Sequence, residues 1–227
     1  YEIAELQREL GLAGEAVDTY RELLAEDARD PVARNSIEAI YFEAEQWSEY
    51  ETFLREQLDG AADDELATVL RKLENFYLYY GDDPREAFNT CERILTLEPE
   101  DKETVEALYG LLENEDVRAD VFRFLVKFAR DGGDDELLER SERRALESFA
   151  DDDFERGAVL SDLARLNRDV FKRDAEAADF AARAWRLDLT SDEAFDTAVD
   201  IARGLGSFEA LLGEIDDAIA TTSEDQP

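Results

Sequence analysis

Apolar residues recur three and four positions apart along almost the whole chain, the interval at which side chains share one face of an α-helix. Alternation with period two is absent over any long run, and β-branched residues are sparse. The pattern predicts thirteen helices, at 1–10, 13–26, 31–44, 47–58, 64–80, 84–96, 102–114, 117–130, 134–149, 152–169, 174–187, 191–204 and 207–220. The breaks carry start and stop chemistry. Asp30-Pro31 and Asp83-Pro84 each place a capping carboxylate before a proline in the first turn, where a missing N–H costs nothing. Gly132-Gly133 followed by Asp134 ends one helix and caps the next, and Ser191 caps another. Residues 221–227 lack apolar periodicity and are expected to form a disordered tail.

Helices this short, joined by connections this brief, stack as antiparallel neighbours. They also repeat. Phe195, Ala198, Val199, Ala202, Gly206, Phe208, Leu211, Ile215 and Ala218 form one unit; Leu70, Leu73, Tyr77, Gly81, Ala87, Cys91, Ile94 and Pro99 form another with one extra turn residue. Ala177, Ala181, Ala184 and Leu187-Asp188 match a second helix and its exit, with Leu189 where proline is usual. Ile37, Tyr41, Trp47, Tyr50 and Leu54 fit more loosely, with Glu38 at a position for a small residue, and a truncated first unit keeps Gly11, Ala16, Tyr20 and Leu23. In this spacing the chain resembles the tetratricopeptide-repeat family, with degenerate repeats. The resemblance implies an all-α, α-α superhelical solenoid over 1–220, whose first helices line a groove for a protein or peptide.

A longer period overlies the short one. Residues 70–128 align with 160–218 at a constant offset of 90, pairing Leu70 with Leu160, Leu73 with Leu163, Ala87 with Ala177 and Leu97 with Leu187. This leaves about six helix pairs, with 134–149 as an odd helix between the copies. Segment 117–130 then satisfies two registers, as the second helix of one pair or the first of the next. A phase break is expected near 115–150.

Composition narrows the function. Sixty acidic against 25 basic residues give a formal net charge of −35, a field that repels nucleic acid and anionic membrane and attracts basic partners. Lysine occurs only at 72, 102, 127 and 172. Such usage resembles that of bacterial, salt-adapted proteins; the preference for Arg over Lys alone also follows from a GC-rich genome, and an acidic binding face is the other reading of the charge. No apolar run reaches the ~18 residues of a membrane span and no signal peptide is visible. A cytoplasmic segment of a larger protein is expected, since the chain contains no methionine and Tyr1 already lies in a helical pattern. Oligomeric state is not legible.

Catalytic and cofactor chemistry finds no foothold in the pattern. There is no histidine, which removes the commonest general base, nucleophile activator and zinc ligand. No phosphate-binding glycine loop is present. The acidic clusters precede helices, where they complement the dipole, and the one cysteine, Cys91, falls on an apolar stripe with Ala87 and Ile94. The expectation is therefore no enzyme, no cofactor and no metal. The scarce basic residues are more informative. Arg71, Lys72 and Asn75 lie on the groove side of the helix at 64–80, and Asn35 holds the place equivalent to Arg71 one unit earlier. Family members that hold a peptide's terminal carboxylate use such residue types at such places, which implies a carboxylate-bearing peptide here; the match is partial, because the following unit offers Glu103, Glu106 and Gly110. Phe42 and Tyr79, off the pair-facing stripe, are candidate walls. Arg123, Lys127 and Arg130 form a second basic stripe. The competing reading of both sets is salt bridging to neighbouring carboxylates.

Overall fold

The computed structural model describes residues 1–149, 153–189 and 191–224. Among these there are thirteen α-helices and no strand. They are α1 (Glu2–Glu9), α2 (Ala13–Glu26), α3 (Pro31–Glu43), α4 (Trp47–Asp59), α5 (Asp63–Tyr79), α6 (Pro84–Leu97), α7 (Lys102–Leu111), α8 (Arg118–Gly132), α9 (Asp135–Ser148), α10 (Asp153–Leu166), α11 (Asp174–Leu187), α12 (Asp192–Leu205) and α13 (Glu209–Glu224). A π-turn over Asn167–Phe171 closes α10. The caps act as their sequence predicts. The Asp30 carboxylate accepts from the amides of Val32 and Ala33 at 2.9 Å, and Asp83 accepts from Glu86. Asp134 and Ser191 cap the helices after them. The last helix runs to Glu224, beyond residue 220, so 221–224 are helical rather than a frayed tail. An established helix extends at one hydrogen bond per residue fixed and needs no apolar stripe to do so. Residues 225–227 of the expected tail lie outside the described residues.

Consecutive helices pack in pairs, α1 on α2, α3 on α4, α5 on α6, α8 on α9, α10 on α11 and α12 on α13. Five of these pairs turn on a residue in the left-handed region: Gly11, Glu45, Gly133, Lys172 and Gly206. The fold is an all-α solenoid of helix pairs. Its odd helix is α7, not 134–149. Segment 134–149 is α9, and it pairs with α8 because Gly133, at φ 65°, lets the Gly133 and Asp134 amides return to the Arg130 and Ala129 carbonyls. That closed hairpin assigns α8 as the first helix of its pair, resolving the double register of 117–130.

The chain divides into two compact units, Tyr1–Thr104 and Val105 onward, with the division inside α7. The segment 115–150, where the sequence predicts a change of phase, belongs to the second unit. In the first unit a core of Tyr20, Ile37, Ile40 and Phe53 joins α2, α3 and α4. In the second, small residues dominate, with Ala145, Ala164, Ala177, Ala181 and Ala184 packed around Leu160 and Leu163. Ion pairs tie several helices to the next but one along the chain. They include Arg8–Glu43, Arg21–Glu56, Arg55–Glu86 and Lys72–Glu38 in the first unit, and Arg130–Asp162, Arg140–Glu106, Arg143–Glu176, Arg144–Glu113 and Arg173–Glu139 in the second. Their partners lie 31 to 35 residues apart, one repeat length.

The 90-residue period is visible in the helix bounds. Asp63, Pro84 and Lys102 begin helices, and so do Asp153, Asp174 and Asp192, each 90 positions on. Burial repeats with it: Leu70 and Leu160, Leu73 and Leu163, Ala87 and Ala177, Cys91 and Ala181 are all buried. At the fourth helix the bounds still match within a residue at the start, Arg118 against Glu209, but the pairing differs: α8 packs on α9, whereas α13 packs on α12.

Candidate functional site

A cleft of about 350 Å³ opens in the first unit where α3, α4 and α5 meet. Its lining is Phe42, Tyr50, Arg71, Lys72, Asn75, Phe76 and Tyr80. Four candidates from the sequence, Phe42, Arg71, Lys72 and Asn75, thus come together. The aromatic wall is one cluster. The Phe42 ring meets Trp47, Tyr50 and Tyr80 edge-on, with centroids 5.2, 5.7 and 4.9 Å apart, and Tyr50 lies 5.6 Å from Phe76. Phe42 and Tyr80 keep 38% and 47% of their surface exposed. Apolar rings held in place yet open to water are the usual anchor sites of an interface. Gly81 makes the arrangement possible, since a Cβ there would stand 2.9 Å from the Phe76 ring. The Tyr50 phenol is pushed up to about 12, first by burial and then by the charge of Glu38 and by Tyr80, so it remains a neutral hydroxyl at physiological pH.

The cations at the cleft are engaged within the chain. Arg71 donates to Asp101 at 2.7 Å and to Glu98, tethering α5 to the turn after α6. These bonds hold its pKa above the usual arginine value, with the Asp101 hydrogen bond the largest cause. Lys72 donates to both oxygens of Glu38 at 2.7 Å, and Gln57 donates to the same carboxylate. Asn75 is exposed at the rim.

The other candidates do not join them. Asn35 is exposed on α3, outside the lining. Tyr79 is 72% exposed and also outside it; the wall residue is Tyr80, four positions after Phe76 and therefore on its helical face. Arg123 pairs with Asp120 at 2.9 Å, Arg130 with Asp162 at 3.0 Å, and Lys127 is exposed between them on α8. In the second stripe Arg123 is thus paired within its own helix and Arg130 with a helix one repeat on. Tyr50, Phe76 and Tyr80 are not among the sequence candidates for this wall. The signal that could have found them is the crowding of Trp47, Tyr50, Phe76 and Tyr80 at the facing ends of the consecutive helices α4 and α5.

No group of acidic or cysteine side chains could hold a metal among the described residues, and no described helix is long and apolar enough to cross a membrane. Cys91 is buried against Glu74, and burial raises its thiol pKa well above the ordinary value.

No family model and no curated protein sequence matches the chain. Among solved structures, BtubC from P. vanneervenii aligns over 98% of this chain and 94% of its own at 20% identity, with a TM-score of 0.37. The TPR2AB domain of yeast Sti1, solved as a complex with pHSP90, aligns over 98% and 89% at 15% identity and TM-score 0.37. TTC0263, a thermophilic TPR protein of Thermus thermophilus, covers 90% and 96% at 16% and 0.32. The chain resembles the tetratricopeptide-repeat proteins. At these scores the likeness carries no argument, and the tetratricopeptide-like character rests on the helix pairs, their turn residues and the one-repeat spacing of the ion pairs.

Proposed function

We propose that this chain is a protein-interaction scaffold whose first unit seats a peptide in the cleft of α3, α4 and α5. The observation that carries the reading is the half-exposed aromatic cluster beside polar groups able to orient a backbone. An apolar side chain of the peptide rests on Phe42, Tyr50 and Tyr80, and Asn75 exchanges hydrogen bonds with its main chain. A carboxylate on the peptide would meet Arg71 and Lys72 only in competition with Glu98, Asp101 and Glu38. The apolar contact therefore supplies most of the affinity. The acidic surface disfavours nucleic acid by the same electrostatics and fits a salt-rich habitat.

Panning a random peptide library against the whole chain, followed by fluorescence anisotropy, tests this. Enriched peptides should lose about tenfold or more in affinity to Phe42→Ala, the scale of a truncated anchor residue. They should lose less to Arg71→Ala, with an unchanged helical circular-dichroism signal. Equal binding to Phe42→Ala, Asn75→Ala and the parent chain would remove the cleft from the account. A spacer role without a groove ligand is the second reading. The observation favouring it is that Arg71, Lys72, Arg123 and Arg130 are all paired within the chain.

A further inference from the structure

The residues that line the aromatic cleft include no aspartate and no glutamate, although 60 residues of the chain are acidic. The cleft therefore meets a peptide with rings and hydrogen-bond donors. Arg71 and Lys72 stay bonded to Glu98, Asp101 and Glu38. The groups left for a ligand are the Tyr50 and Tyr80 hydroxyls and the Asn75 amide. None of these side chains has a hydrogen-bond partner among the described residues. The Tyr50 phenol, held neutral by its burial, keeps its proton to donate. Phe42 packs between Tyr80 and Tyr50, at 4.9 and 5.7 Å.

Such a lining suits a ligand rich in carbonyl oxygens, poor in N–H groups and apolar at its sides. An ordinary extended peptide brings one N–H per residue, and only the Asn75 carbonyl oxygen and the phenol oxygens can accept it here. An N–H buried without an acceptor costs affinity. Proline brings the carbonyl without the N–H and adds an apolar ring. We propose that the cleft takes a proline-rich segment of a partner protein in the polyproline II conformation, with pyrrolidine rings on Phe42 and Tyr80 and carbonyls bonded by Tyr50, Tyr80 and Asn75. The proposal rests on the reading of this cleft as a peptide seat and names the peptide. The steps from Tyr80 through Phe42 to Tyr50 reach no further than about one three-residue turn of that helix, ~9 Å at ~3.1 Å per residue. Both sides are ordered beforehand. Trp47 holds Phe42 and Tyr80 from behind at 5.2 and 5.0 Å, and a polyproline II segment is already extended, so little freedom is lost on binding. An uncharged segment also enters the field of a chain at −35 without repulsion.

The test uses the whole chain and three fluorescein-labelled peptides of equal length, read by anisotropy: nonaproline, Leu-Ala-Ser repeats and Gly-Ser repeats. Nonaproline should bind at least about fivefold tighter than the Leu-Ala-Ser peptide, and the Gly-Ser peptide should not bind. Phe42→Ala should weaken nonaproline about tenfold. Tyr50→Phe and Tyr80→Phe keep the rings and remove only the hydroxyls, and each should cost about threefold. Tyr79→Phe, outside the cleft on the same helix, should change nothing, and thermal midpoints check that every variant folds. Nonaproline that binds no tighter than the Leu-Ala-Ser peptide would overturn the proposal, as would full affinity in both hydroxyl deletions. If the Leu-Ala-Ser peptide binds better and depends on Phe42, the peptide seat stands and its proline preference falls. If no peptide, including those enriched from a random library, responds to Phe42→Ala, both fall.

Discussion

The two units use one backbone plan with different interiors. Around α3, α4 and α5 the first unit holds large aromatics, and Arg71 ties α5 to the turn after α6 through Glu98 and Asp101. The second unit replaces bulk with alanine around α10 and α11, and buries polar groups instead. Glu142 on α9 is 1% exposed and Asn167 fully buried. One oxygen of each, Oε2 of Glu142 and Oδ1 of Asn167, lacks a hydrogen-bond partner. The comparison teaches that the helix-pair plan constrains the positions of the apolar stripes far more than their volume. Where small residues let helices close up, polar side chains become trapped between them, and their charge state becomes part of the stability.

The strongest way to test the shared plan is at matched core positions. Leu70→Ala and Leu160→Ala should each destabilise by about 2–5 kcal/mol, read by urea unfolding with hydrogen exchange to separate the units. A negligible cost at Leu160 would break the equivalence of α5 and α10. The next test goes to the contrast. The Glu142 carboxyl is pushed up to about 8 by burial, and further by Asp162 and Glu139, against the opposing pull of Arg130 at 3.7 Å. A raised folded-state pKa means that the protonated form contributes stability, fully present below the ordinary glutamate range and lost as pH rises toward 8. Glu142→Gln keeps the neutral form throughout. Its thermal midpoint should match the parent at pH 4 and exceed it at pH 8 by the equivalent of roughly 3 kcal/mol. A pH-independent difference would show that the carboxyl is not the source.

The smallest effect concerns the turns. Glu45 and Lys172 hold φ of 52° and 54°, where other hairpins have glycine. Glu45→Gly should stabilise the first unit by about 0.5–1 kcal/mol by relieving the left-handed strain. Lys172→Gly should gain less, because it also loses the bond from its ammonium to the Asp169 carbonyl. Equal gains would mean that this bond contributes nothing.

The fold was largely legible because helix caps and apolar stripes are local. Asp30-Pro31, Asp83-Pro84 and Gly133-Asp134 announce boundaries within a residue or two. The identity of the odd helix was not legible. It depends on which neighbour α8 packs against, and an apolar stripe on α8 serves either neighbour. The cleft was partly legible, since Arg71, Lys72 and Asn75 share a helix face. Their engagement by Glu38, Glu98 and Asp101 comes from residues a repeat away. The exchange of Tyr79 for Tyr80 turns on the last turn of α5, where Gly81 directs its amide to the Phe76 carbonyl.

The ion pairs that join residues 31 to 35 apart bear on how the chain folds. Loop-closure entropy grows with the length enclosed, and these contacts enclose one repeat, whatever the length of the array. Each pair of helices can therefore form beside whichever neighbour is already in place, so that order spreads by short steps from any starting point. Adding a further helix pair to such a chain would lengthen it without slowing the formation of the rest.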